Sequence, residues 1–165
     1  MIIDVVAKYF ISNKKTLSVA ESCSGGYLSH RITSFPGSSE YFKGGIIAYS
    51  DEVKNLLLGV DVHVIKKYGA VSEQVVISMS KGTLKRFKTD YAVAISGIAG
   101  PGGAVKNKPV GTVCIAVSSK NRTISKTFHF GNAGRIVNIE KSANASIAML
   151  IKLFEEENYT KKSTC

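Results

Sequence analysis

This 165-residue chain predicts a single layered α/β domain, with a mixed sheet of about five strands flanked by helices. Three observations carry that prediction. Segments with apolar residues at helical spacing alternate with short apolar runs of strand length. The run 112–117 (TVCIAV) is apolar almost without interruption, as befits a strand covered on both faces. Two small-residue turns, one within 22–26 and one over 96–103, each follow a predicted strand directly, where the ligand crevices of α/β sheets lie.

Taken in order, Ile2, Val6, Tyr9 and Phe10 recur at the spacing of a first helix, which stops at Ser12-Asn13. Residues 17–21 form a strand, and a helix is expected over 25–33, broken by Pro36-Gly37. A short strand follows over 45–50, then a short helix over 51–58 with Asp51 and Glu52 in its first turn, where the dipole favours acids. Val75, Val76, Met79, Thr83 and Phe87 trace the core face of a longer helix, and 91–96 is the third strand. Ile124, Phe128 and Phe130 alternate with polar residues, as at an exposed edge, and their strand should form a hairpin with 112–117. The final helix carries Ile136, Ala143, Ile147, Leu150 and Phe154 on one side, closing a domain over 1–157 ahead of a polar tail, 158–165, expected to fray. No repeat, low-complexity segment or linker interrupts the pattern.

Composition narrows the function classes. Hydrophobic residues make up 44% of the chain, yet no apolar run approaches membrane-spanning length. The start, MIIDVVAKYF, has no basic region ahead of its apolar residues and includes Asp4, unlike a signal peptide. Cys23, Cys114 and Cys165 are odd in number and share no ligand spacing, which suits a reducing, cytoplasmic compartment. His30, His63 and His129 are scattered, so no bound metal is expected. The formal charge of +10 admits nucleic acid, a phosphorylated small molecule or simply a solvated basic surface. Dispersed lysines without interleaved aromatics favour the last and disfavour nucleic acid.

The chemistry concentrates in a few places. In 16–26, TLSVAESCSGG, an apolar strand runs into a tight Ser/Gly turn opening a helix, which presents Ser22 and Ser24 beside backbone N–H groups uncovered by Gly25 and Gly26. Ser22 is the candidate nucleophile; a serine that merely caps the helix fits the same residues. Lys54 shares a helix face with Leu57 and Leu58, and a lysine desolvated there loses proton affinity and becomes a base for a serine, while one that snorkels to water does not. Tyr49 stands just ahead of it, as a proton relay or as a core tyrosine. The loop Ser96, Gly97, Ile98, Ala99, Gly100 to Gly103 lacks the Gly-Lys-Ser/Thr of a P-loop, but two such turns after two strands suggest one shared, anion-binding pocket.

AESCSGG (20–26), PGSSEYFKGGIIAYSDEVKNLLLGV (36–60), YGAVSEQVV (68–76), ISGIAGPGG (95–103) and KPVGTV (108–113) together resemble the C-terminal domain of the CinA proteins, the PncC-type nicotinamide-nucleotide amidohydrolases. The resemblance covers residues 3–155. It implies deamidation of nicotinamide mononucleotide to nicotinate mononucleotide and ammonia, without a cofactor, in a stand-alone form that lacks the N-terminal molybdopterin-binding-like domain. By the same resemblance Ser22 is the nucleophile, Lys54 the base, Tyr49 an assisting residue and Ser96 the hydroxyl opening the second loop. A substrate-contacting arginine falls on Arg135, although the family's short Gly-Asp-Arg is here Gly131-Asn-Ala-Gly-Arg135, two residues longer. A homodimer or higher homo-oligomer is also implied. The alternatives are a regulatory or nucleic-acid-binding module, as the family's competence-and-damage name suggests, and a member that binds the nucleotide without hydrolysing it.

Overall fold

Five strands line up in the order β2-β1-β3-β4-β5 in the computed structural model, which describes residues 2–163 and the side chains as far as Thr160. β1 (Leu17–Glu21) pairs in parallel with β2 (Phe42–Ile47) on one side and β3 (Tyr91–Gly97) on the other. β4 (Thr112–Ser119) and β5 (Thr123–His129) complete the sheet as an antiparallel hairpin, so the sheet is mixed as expected. Because β2 and β3 lie on opposite sides of β1, the strand order reverses there, and the crevice opens at the carboxyl ends of β1 and β3.

Side-chain alternation divides the core in two. Val19, Val93, Ile95, Val113, Ile115 and Val117 face α1 (Ile2–Ser12), α2 (Tyr27–Thr33) and α6 (Arg135–Ser163), which supply Phe10, Leu28, Ile147, Leu150 and Phe154. The opposite face is small. Ala20, Ala94 and Ala116 are register partners across three strands, and α5 (Glu73–Phe87) lies on that stripe with Val75, Val76 and Met79 buried. Small residues on a sheet bring a helix axis close, and Gly82 of α5 extends the same close packing to α3 (Asp51–Leu58).

Several expectations shift. The second strand runs over Phe42–Ile47 rather than 45–50, because the chain pairs with β1 from Leu17 onward and then leaves the sheet to reach Ser50, the N-cap of α3, whose hydroxyl accepts from Val53 N–H. α2 starts at Tyr27, not at 25, since Gly25 and Gly26 hold left-handed φ of 58° and 100° in the turn that precedes it. A helix that the apolar periodicity does not reveal, α4 (Val62–Tyr68), follows N-cap Asp61 and buries only Ile65. α6 passes the expected end at 157 and continues to Ser163, carried by the Lys152–Glu156 pair and the bond from Thr160 Oγ1 to the Glu156 carbonyl. Residues 164 and 165 of the expected tail lie outside the described residues. No helix among the described residues is long and apolar enough to cross a membrane.

Candidate active site

Ser22 leaves the end of β1 with its N–H bonded to the Ile95 carbonyl of β3, so two adjacent strands fix the turn that carries it. Lys54 is brought to it by α3. The Ser50 cap sets the helix start, and one turn later the lysine faces inward, only 1% exposed. Its Nζ stands 3.3 Å from Ser22 Oγ, 3.5 Å from the Tyr49 carbonyl and 3.6 Å from Asp51 Oδ1. Burial pulls the amine below the ordinary lysine range, and the Asp51 carboxylate partly opposes that pull. A buried amine of lowered proton affinity, in reach of a serine hydroxyl, has the geometry of a base and its nucleophile.

The two turns meet in one cleft of about 290 Å³, at the lower end of the size expected for a small-molecule site. Ser22, Tyr49 and Lys54 form one wall, and Ser96, Gly97, Ile98, Ala99 and Gly100 form the other. Among the described residues, no backbone carbonyl accepts from the N–H groups of Ala99, Gly100, Gly102 or Gly103, nor from that of Cys23 beside the serine. Arg135 closes the rim despite its two extra loop residues: Nη1 donates to the Gly100 carbonyl at 2.9 Å and Nη2 to the Tyr49 hydroxyl at 3.0 Å. The Tyr49 ring is therefore turned to Arg135, and it is the Tyr49 carbonyl that meets Lys54.

Ser24, Gly25 and Gly26 lie elsewhere. The sequence offers the amides opening α2 to an anion from outside, but the chain's own Glu21, fully buried, already occupies them. Its carboxylate accepts from Gly26, Leu28 and Ser29 N–H and from the Ser24 and Ser29 hydroxyls, at 2.7 to 3.1 Å. Neither Ser24 nor the two glycines line the cleft. The Glu21 carboxylate thus ties together the turn that presents Ser22, which leaves the other loop and Arg135 as the cleft's candidates for holding an anion.

Other residues at the site are legible only in three dimensions. Asp51 lines the cleft and pairs with Lys54, although in sequence it reads as a first-turn acid. Asn138, fully buried one turn beyond Arg135, donates from Nδ2 to the Ala99 and Gly131 carbonyls and so ties the second loop to α6. Cys23 also lines the cleft, and burial pushes its thiol up to about 12. Among the described residues no group of three or more His, Cys, Asp and Glu could hold a metal ion.

Known proteins share this arrangement of chain. A sequence profile described as the CinA C-terminal domain matches residues 1–154. A CinA-like protein of Fervidobacterium nodosum is 50% identical over 126 residues, which are 76% of this chain and 31% of that protein. One from Endomicrobium trichonymphae is 41% identical over 94% of this chain and 36% of its own length. The chain thus spans about a third of the length of these curated relatives. Among solved structures, a competence/damage inducible protein, CihA, from Agrobacterium tumefaciens superposes with a TM-score of 0.90 at 33% identity, covering 92% of this chain and 93% of the other. A CinA superfamily protein from Escherichia coli gives 0.88 at 27% identity, covering 92% and 88%. The strand order, the two turns and these matches lead to one conclusion: the chain belongs to the CinA C-terminal domain family.

Proposed function

We propose that this protein hydrolyses the carboxamide of nicotinamide mononucleotide to the carboxylate, releasing ammonia. The observation that carries the reading is the buried Lys54 amine 3.3 Å from Ser22 Oγ at the head of an amide-lined cleft. Ser22 Oγ attacks the carboxamide carbon while neutral Lys54 takes its proton. The C–N bond then breaks as Lys54 returns that proton to the departing nitrogen, leaving an ester on Ser22 and free ammonia. Water adds to the ester with Lys54 again as base, and the C–O bond to Ser22 breaks to give the acid and the free hydroxyl.

The N–H of Cys23, which donates to no backbone carbonyl among the described residues, serves the oxyanion, being the amide next to the nucleophile. Gly100, Gly102 and Gly103 N–H groups and the Arg135 guanidinium suit the substrate phosphate at the far end. Tyr49 contributes through its carbonyl, which helps aim Lys54, and through its hydroxyl, which holds Arg135 over the rim.

The test is ammonia release from nicotinamide mononucleotide by purified protein, beside Ser22→Ala. Wild-type turnover with at least a 10²-fold loss in a folded Ser22→Ala variant is expected. No ammonia but saturable nucleotide binding would leave a binding protein, and salt-sensitive DNA binding alone would leave a nucleic-acid module.

A further inference from the structure

Asp51 is the acid nearest the buried amine, and its position is unusual for a structural ion pair. The Lys54 side chain is 2% exposed, whereas that of Asp51 is 59% exposed and lines the cleft, so the pair joins the interior to the space where a ligand enters. The two residues are three apart in the first turn of α3, acid first, the order that also suits the helix dipole. Resting on the reading of Lys54 as the base, we infer that Asp51 is its positioning residue: pairing across the first turn of α3, it holds the ammonium form and aims the amine at Ser22 Oγ, governing when Lys54 can accept the serine proton.

The Tyr49 carbonyl helps to aim the amine, but among the described residues no other carboxylate pairs with it. From the β1–α2 turn, the Cys23 thiol stays protonated, and the Glu21 carboxylate is taken up by its five donors. From α5 the buried face is Val75, Val76, Met79, Ser80 and Thr83, and from α4 it is Ile65, none of them titratable. The opposite loop, 96–103, contains no ionisable side chain, and Arg135 is engaged by Gly100 and Tyr49 across the cleft. Burial drives the lysine toward the neutral form and Asp51 is the chief group that resists, with a smaller contribution from Cys23, so the balance between burial and Asp51 decides the working pH.

The experiment titrates Lys54 directly. In lysine-labelled protein the ¹⁵Nζ signal absent from Lys54→Met is followed against pH in wild type, Asp51→Asn, Asp51→Glu and Glu52→Gln, alongside the pH profile of ammonia release. Asp51→Asn is expected to lower the Lys54 midpoint by about one pH unit, giving roughly tenfold more neutral amine below both midpoints. The acid limb of the rate profile moves with it, Asp51→Glu returns most of the shift, and Glu52→Gln, an exposed neighbour on the same turn, changes neither. A merely structural Asp51 would move the melting temperature and leave the midpoint in place, and that result overturns the inference. A shifted midpoint in a protein that releases no ammonia from the nucleotide sustains the role of Asp51 and defeats the proposed reaction instead.

Discussion

Replacing Gly82 by alanine tests how the packing of α5 against α3 sets the site. A Cβ at this position would lie 1.9 Å from the Leu58 carbonyl oxygen and 2.8 Å from its carbon, both backbone atoms that no rotamer change can move. Ordinary contact begins near 3.4 Å, so α3 must recede from α5 by about 1.5 Å. Overpacking of this kind costs about 1–3 kcal/mol, against about 1 kcal/mol recovered by alanine in a helix interior, leaving a net loss of up to about 2 kcal/mol. At roughly 2–4 °C per kcal/mol that is a fall in Tm of up to about 8 °C.

The larger effect is on chemistry. Lys54 is one turn before Leu58 on the same face of α3, while Ser22 is anchored to the sheet, so the shift opens their 3.3 Å separation. A displacement of about 1 Å at a reacting pair costs on the order of 10²-fold in rate, near 2.7 kcal/mol. The assay is ammonia release per folded molecule together with a thermal melt. Gly59→Ala is the control: its φ of 66° is strained for alanine, yet nothing lies within 4 Å of the new Cβ, so it should lower stability and spare the rate. Gly82→Ala with wild-type Tm and turnover, or Gly59→Ala with the same loss of rate, would refute the argument.

Lys54→Met keeps the apolar stem and deletes the amine, and should lower turnover by about 10²- to 10⁴-fold without loss of Tm, because the Asp51 left behind is solvated rather than buried. The lysine binds its proton more weakly folded than unfolded, so wild-type stability rises with pH from the lowered folded value toward roughly 10.4, and the advantage of Met should shrink over that range in melts. Melts that favour wild type at low pH would contradict this. Glu21→Gln turns an amide NH₂ toward donors that now meet a carboxylate, and a loss of about 3 kcal/mol or more is expected in denaturant titrations; a near-wild-type midpoint would mean that the carboxylate is not what holds the turn. Tyr41 is fully buried and its hydroxyl has no hydrogen-bond partner among the described residues, so Tyr41→Phe should gain about 1 kcal/mol, or roughly 2–4 °C, and a drop in Tm would reveal a partner.

Local chemistry made much of the fold readable in advance. β1 at Leu17–Glu21 and α3 at Asp51–Leu58 begin and end where the apolar run and the first-turn acids Asp51 and Glu52 predict, and the uninterrupted run at 112–117 does lie within a strand buried on both faces. The β2 register was not readable, because an edge strand with Gly44 and Gly45 has little side-chain pattern of its own and takes its register from β1. Nor was α4, whose single buried residue leaves no periodic stripe.

At the site, the sequence by itself determined the residue types and their places: a serine after the first strand, a lysine one turn into a capped helix, and a glycine-rich loop after the third strand. Each is a short-range property, expressed in turn geometry, capping and apolar spacing. Only the tertiary structure decided how they combine. The reversal of strand order at β1 sets Ser22 and the loop at 96–103 side by side, and α5 holds α3 so that Lys54 reaches the serine. It also decided that Glu21, rather than a ligand, occupies the α2 amides, and that Arg135 reaches Tyr49 and Gly100 despite its longer loop. These outcomes rest on contacts between segments 5 to 86 residues apart, where burial and competition for hydrogen-bond donors decide partners that local spacing leaves open.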